Sequence, residues 1–179
     1  MNILITGRPG AGKTTVIRRV LEGLDGRPGG FTTQEIRRGG RRVGFSIRAV
    51  DTGQEGILAH IDLAAPHRVG PYGVNTGDME RIGVPALIRA MEGADVIVMD
   101  EIGRMENYCS SFRSAVLRAL DAPRDVLGTL QMRCTPFLES IRRRDDVTIR
   151  TLTRENRDHM PALLLELFQA GHQQAKPER

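Results

Sequence analysis

At 179 residues, with 40% apolar side chains and 26 basic against 22 acidic groups (net +4), the chain is sized for one domain with a substantial core. The small positive excess, nearly all arginine, favours anionic partners, and nucleotides satisfy it without invoking nucleic acid. Two cysteines, Cys109 and Cys134, are too few and too far apart for a disulfide scaffold or a CxxC pair, and no apolar run approaches membrane-spanning length, so a cytoplasmic chain is expected.

Residues 2–6 read as a short buried strand that enters the core directly, with no signal peptide before it. A helix is expected over 14–24, a turn over 26–30, and two strands over 31–37 and 43–50 joined at Gly39-Gly40 as a hairpin. After a turn at 51–53, a third strand is expected over 56–60, and 66–75 reads as irregular. Helical periodicity returns over 78–92 through Met79, Ile82, Ala86, Leu87 and Ala90, with a break and fresh start at Pro85. The continuous apolar run at 95–100 marks a central parallel strand buried on both faces. Ser110-Ser111 is expected to cap a helix carrying Phe112, Val116 and Leu120. A strand follows at 125–130, then a helix capped by Thr135 with Pro136 first, and a last strand at 147–152. Thr153 is expected to open the final helix, and the polar stretch 169–179 to fray. The fold class this predicts is α/β: a largely parallel central sheet with helices on both faces and an antiparallel hairpin insert after the first helix, in a domain over 1–168.

The segment Gly7-Arg8-Pro9-Gly10-Ala11-Gly12-Lys13-Thr14 fits G-x-x-x-x-G-K-[ST] between a strand and a helix. Its glycines let successive N–H groups point inward at a phosphate, and the helix aims its positive end at the same place. Lys13 is expected to reach the β/γ-phosphates, the Thr14 hydroxyl to meet Mg2+, and Thr15 to extend the nucleotide contacts. Asp100-Glu101, at the end of the central strand, faces the same crevice. Asp100 is the expected partner of Mg2+, usually through a water, and Glu101 the group that polarises an attacking water. Arg8, Arg104 and Arg157 are candidates for the transition-state charge, and Thr129 a candidate γ-phosphate sensor. The basic clusters Arg37-Arg38-Gly39-Gly40-Arg41-Arg42 and Arg142-Arg143-Arg144 read as solvated surface, since no aromatic residues interleave them as in a nucleic-acid patch. His60, His67, His159 and His172 show no metal-ligand spacing.

Several blocks together resemble the THEP1-type nucleoside-triphosphatases: the phosphate loop, Gly30-Phe31-Thr32-Thr33-Gln34-Glu35-Ile36-Arg37, Arg42-Val43-Gly44-Phe45, Arg68-Val69-Gly70-Pro71-Tyr72-Gly73-Val74-Asn75, Asp100-Glu101-Ile102-Gly103-Arg104-Met105-Glu106 and Thr153-Arg154-Glu155-Asn156-Arg157-Asp158. The resemblance spans residues 1 to about 168 and implies a RecA-like P-loop domain. It also implies slow, Mg2+-dependent hydrolysis of ATP, GTP, CTP and UTP to diphosphate and phosphate, with the base held loosely. By position, Lys13 and Thr14 carry over as phosphate and Mg2+ contacts, Asp100 as metal partner and Glu101 as water activator. Asn156 and Arg157 carry over as residues near the base or phosphates. Asn107-Tyr108-Cys109 and the stretch 130–134 depart from the family pattern beside the expected site. A monomer acting on nucleoside triphosphates, with no membrane or nucleic-acid partner, is the leading expectation. The alternatives are a nucleotide or small-metabolite kinase, or a nucleotide-dependent RNA-binding switch.

Overall fold

The computed structural model describes residues 1–174, with burial assigned through Ala170. Nine strands form one mixed sheet: β1 Asn2–Thr6, β2 Pro28–Arg38, β3 Arg41–Ala49, β4 Glu55–His60, β5 Arg68–Val69, β6 Tyr72–Val74, β7 Val96–Ile102, β8 Asp125–Leu130 and β9 Val147–Thr151. Their spatial order is β5-β6-β4-β3-β2-β7-β8-β1-β9. The contacts from β2 through β7, β8 and β1 to β9 are parallel; those from β2 through β3, β4 and β6 to β5 are antiparallel.

Six α-helices accompany the sheet among the described residues: α1 Lys13–Gly23, α2 Thr76–Asp78, α3 Val84–Gly93, α4 Ser110–Asp121, α5 Pro136–Arg142 and α6 Met160–Gln174. Alternation along the parallel strands divides the core in two. Ile3, Ile5, Val96 and Val98 pack with Val16, Ile17 and Val20 of α1 and Leu164 and Phe168 of α6. Leu4, Ile97 and Met99 face the other way, toward Leu87 of α3, Phe112 and Val116 of α4 and Leu138 of α5. The expected parallel sheet with helices on both faces is therefore present, and so is the hairpin insert, whose tip is at Gly39-Gly40.

Five local expectations are corrected. Residues 28–30 are not a turn: Pro28, Gly29 and Gly30 already pair with Val96, Ile97 and Val98. Gly30 has φ 100°, and a Cβ there would stand 2.2 Å from the Val98 carbonyl oxygen, so the glycine serves a close strand approach. The stretch 66–75 contains the small β5–β6 hairpin. β7 does not stop at the acid pair but continues to Ile102. Ser110 is the first residue of α4; Cys109 holds the cap position and makes no side-chain capping bond. Thr153 does not open the last helix, which begins at Met160 after a run of turns.

Two other helix starts follow their sequence signals. Pro85 lies in the first turn of α3, which continues from a π-helical turn at Met79–Gly83. Thr135 accepts from the Leu138 N–H at 3.2 Å, with Pro136 next in the chain. The stretch expected to fray is helical as far as Gln174, and 175–179 lie outside the described residues.

Candidate active site

The phosphate loop spans the gap from β1 to α1. Gly10 and Gly12 hold φ of 76° and 102°, and the Ala11 N–H donates to the Arg8 carbonyl at 3.1 Å. No side chain caps α1 and no acidic residue lies in its first turn, so its leading N–H groups keep their affinity for an anion. Lys13, first in the helix, donates from Nζ to the Gly7 carbonyl at 3.3 Å. Arg8, Pro9 and Gly10 are exposed, as are Thr14 and Thr15.

β7 brings the acids to the same edge. Met99 pairs with Gly128 and Ile102 with Leu130, so Asp100 and Glu101 together stand opposite Thr129 alone. The extra residue is a bulge, a device that re-aims side chains next to active sites. The Asp100–Glu101 peptide bond is cis. Asp100 is 1% exposed and accepts from the Thr129 hydroxyl at 2.7 Å, while its Oδ2 is buried without a hydrogen-bond partner. Burial pushes the Asp100 carboxyl above the usual carboxylate range; the Thr129 and Thr14 hydroxyls and the Lys13 ammonium pull the other way. Glu101 is half-buried, and burial raises it too, with the Asp100 charge adding and the Lys13 and Arg42 charges opposing. Lys13 thus sets its charge against both carboxyl groups.

Thr14 and Asp100 offer hard oxygen donors, and the unpartnered Oδ2 has lone pairs free, as a divalent cation or its water shell requires. These residues fit Mg2+. Thr129, read from sequence as a phosphate sensor, is fully buried with its hydroxyl donated to Asp100, so it positions that acid instead. Thr129→Val should leave the fold intact but cost about 1–3 kcal/mol of stability in urea unfolding, because the buried carboxyl loses its donor. Unchanged stability would show that this bond contributes nothing net.

The turn after β9 flanks the loop. The Leu152 N–H donates to the Thr6 carbonyl at 2.7 Å, and a Cβ on Gly7 would lie 2.7 Å from the Leu152 carbonyl oxygen. Asn156 spends its amide on this turn, accepting from the Thr153 N–H at 2.8 Å and donating to the Thr151 carbonyl at 2.9 Å. Arg157 is exposed and lies 3.9 Å from Asp158.

Two groups of the site stand in the resemblance blocks but have no role assigned from sequence. The first is Arg42, assigned to plain solvated surface. β2 pairs with β7 as far as Thr32 opposite Asp100, then runs six further residues to Arg38, so the hairpin tip projects past the acid pair. There Arg42 donates to Glu35 at 2.8 Å and to the Tyr72 hydroxyl at 3.1 Å, its guanidinium 5.1 Å over the Phe45 ring. The structure thus adds to nearby Phe45 an aromatic neighbour, Tyr72, that lies thirty residues on. The second cluster is corrected as well: Arg142 bonds Glu139 and the Gln131 carbonyl, and Arg144 bridges Asp121 and Asp146.

The second group is Glu106, 3% exposed, which accepts from the Gly103 N–H at 2.8 Å. Burial pushes its carboxyl up to about 7; the Glu101 charge adds, while the N–H groups of Glu106, Gly103 and Met105 oppose. An acid that holds its proton more tightly when folded contributes stability that is complete below its unfolded value, near 4.5, and is lost as pH rises toward 7. Between those limits the loss amounts to about 3 kcal/mol. Glu106→Gln should remove that loss, read as a difference between wild type and variant in urea unfolding at the two pH extremes. Parallel pH dependences would contradict it.

Comparison with known proteins is consistent with this geometry. Residues 2–165 match the family described as NTPase. The chain is 46% identical over 176 residues to Nucleoside-triphosphatase THEP1 of Thermotoga maritima, covering 97% of this chain and 100% of that one. It is 46% identical over 168 residues to the protein of the same name from Thermofilum pendens, covering 91% and 92%. The crystal structure of THEP1 from the hyperthermophile Aquifex aeolicus superposes with a TM-score of 0.86 at 36% identity, covering 94% of this chain and 99% of that one. The solution structure of a human cancer-related nucleoside triphosphatase gives 0.79 at 35%, covering 94% and 97%.

Proposed function

Because the chain belongs to the THEP1-type nucleoside-triphosphatase family, we propose that it is an enzyme hydrolysing ATP, GTP, CTP and UTP to diphosphate and phosphate, slowly and with Mg2+. The observation that carries this reading is the bulge that sets Asp100 and Glu101 side by side under the influence of Lys13, at the mouth of an uncapped helix.

In this reading the N–H groups that the loop and the first turn of α1 leave free, such as those of Gly10, Gly12, Lys13 and Thr14, wrap the phosphates, and Lys13 leaves the Gly7 carbonyl for the β/γ oxygens. Thr14 and Asp100 would hold Mg2+, which when bound would supply positive charge to offset that of the phosphates. Glu101 orients a water in line with the γ-phosphorus and takes one of its protons as the new P–O bond forms. The old P–O bond breaks, and its electron pair leaves with the nucleoside diphosphate. Asn156 keeps the turn after β9 against the loop, and Arg157 lies beside the base. The bonds that hold Asn156 to its own turn fix the orientation of its amide. Among the described residues no helix is long and apolar enough to cross a membrane, and both cysteines are free. A cytoplasmic monomer acting on small anions fits these features.

The test is phosphate release from the four triphosphates, with Mg2+ and with a chelator. Release from all four within about tenfold of one another, stopped by the chelator, is expected. Nucleotide binding without release would overturn the reading in favour of a kinase awaiting its acceptor. A preference beyond about a hundredfold would overturn the broad tolerance.

A further inference from the structure

Beyond Ile102 the chain turns back at Gly103 into a 3-10 turn, Met105–Tyr108, and this carries Glu106 behind Glu101. A cavity of about 60 Å3 lies there, lined by Glu101, Glu106, Arg104 and Gln131 and closed in part by Thr33 and Phe45 of the hairpin. One unpartnered donor and two carboxyl groups meet at this void. The Arg104 Nε–H is buried and has no hydrogen-bond partner. Glu106 is buried, and among the described residues no lysine or arginine pairs with it. Glu101 brings a half-buried carboxyl from the front. A buried donor left without a partner costs about 1–3 kcal/mol, and although Phe45, Leu58, Val69 and Met105 line much of the void, its polar lining groups give one or two waters the two to four partners they need.

A purely structural account of Glu106 is incomplete. The N–H groups of Gly103, Met105 and Glu106 close the turn on its carboxyl, but a neutral acceptor would serve those bonds without the cost of burying an acid. We propose that Glu106 is a positioning residue for Glu101, acting through an ordered water that the Arg104 Nε–H holds between the two carboxyl groups. This rests on the reading of Glu101 as the water activator. With its proton on, Glu106 donates to the bridging water, which donates to the rear oxygen of Glu101. The front oxygen keeps its lone pair for the attacking water.

The same geometry sets a pH dependence. The groups facing Glu106 are Glu101 from β7, Arg104 from the turn, and the neutral Gln131 and Thr33; Lys13 and Arg42 act one step away, on Glu101. As pH rises through about 7, Glu106 gives up its proton, stops donating, and adds a like charge beside Glu101. Turnover should therefore fall on the alkaline side.

The experiment compares wild type, Glu106→Gln, Glu106→Leu and Glu101→Gln by steady-state phosphate release from ATP between about pH 5.5 and about pH 9. Glu106→Leu should lower kcat by roughly 10- to 100-fold with KM within about twofold. Glu106→Gln, whose amide accepts from Gly103 and donates to the water, should recover most of kcat and lose the alkaline limb. A Glu106→Gln profile superimposable on that of wild type, limb included, would overturn the proposal. So would an undiminished kcat in a folded Glu106→Leu. If the leucine variant does not fold, the limb in the glutamine variant decides alone. Glu101→Gln separates the two levels. If that variant keeps full turnover, the activator reading fails and this one with it; if it is slow while both Glu106 variants behave as wild type, only the present proposal fails.

Discussion

Lys13→Ala is expected to abolish turnover, with a loss of roughly 10³-fold or more in phosphate release. The ammonium is the charge that opposes the proton affinity of both Asp100 and Glu101, and it rests 3.3 Å from the Gly7 carbonyl, inside the loop that would receive the phosphates. Its removal acts twice. The γ-phosphate loses the cation that offsets its developing charge, and both acids lose the neighbour that favours their ionised forms. The fold should be indifferent, because the lysine's one hydrogen bond is to its own loop. The check is phosphate release alongside the unfolding midpoint. Full activity in a folded variant would remove the phosphate-loop assignment altogether.

Glu101→Gln comes second, with chemistry slowed by roughly 10²–10⁴-fold and Mg·nucleotide binding retained. Glutamine keeps the shape and one oxygen, so the bulge is preserved, but it takes no proton from water. Binding by calorimetry and single-turnover hydrolysis separate the two steps. Loss of binding with the slow rate would make Glu101 a metal partner or a structural residue. The expectation depends on Glu101 differing from its neighbour: Asp100 is 1% exposed and held by Thr129, whereas Glu101 is half-buried and still reachable from the crevice.

Local chemistry was legible wherever the physics is local. The loop pattern, the doubly buried run of β7, the Thr135 cap and the Gly39-Gly40 tip each depend on a few adjacent residues, and each is found where those residues are. The misreadings come from distant partners in some places and, in others, from local turns that residue type alone does not reveal. Pro28-Gly29-Gly30 has turn composition, yet its glycine is required by the Val98 carbonyl nearly seventy residues on. Thr153 has a capping side chain, but Asn156 ties the backbone into turns before any helix begins. Arg42 was indistinguishable from its neighbours at the basic tip until Phe45 and Tyr72 were brought beside it. Glu106 carried no signal beyond its place in the block that opens with Asp100, since burial of a single acid after a strand follows from the backbone reversal at Gly103.

The placement of β1 has a consequence for the order of assembly. Its two neighbours are β8 and β9, whose residues lie more than 120 positions downstream, while the antiparallel half from β2 to β6 is complete by Val74. A chain emerging from the ribosome can zip its hairpins early, yet its first strand has no bed until Leu130 is out and is not enclosed until Thr151 follows. β1 is thus made before both of its neighbours and paired only after they follow. Nascent chains arrested before residue 125 should gain no protease resistance from added nucleotide, and those released beyond 151 should gain it.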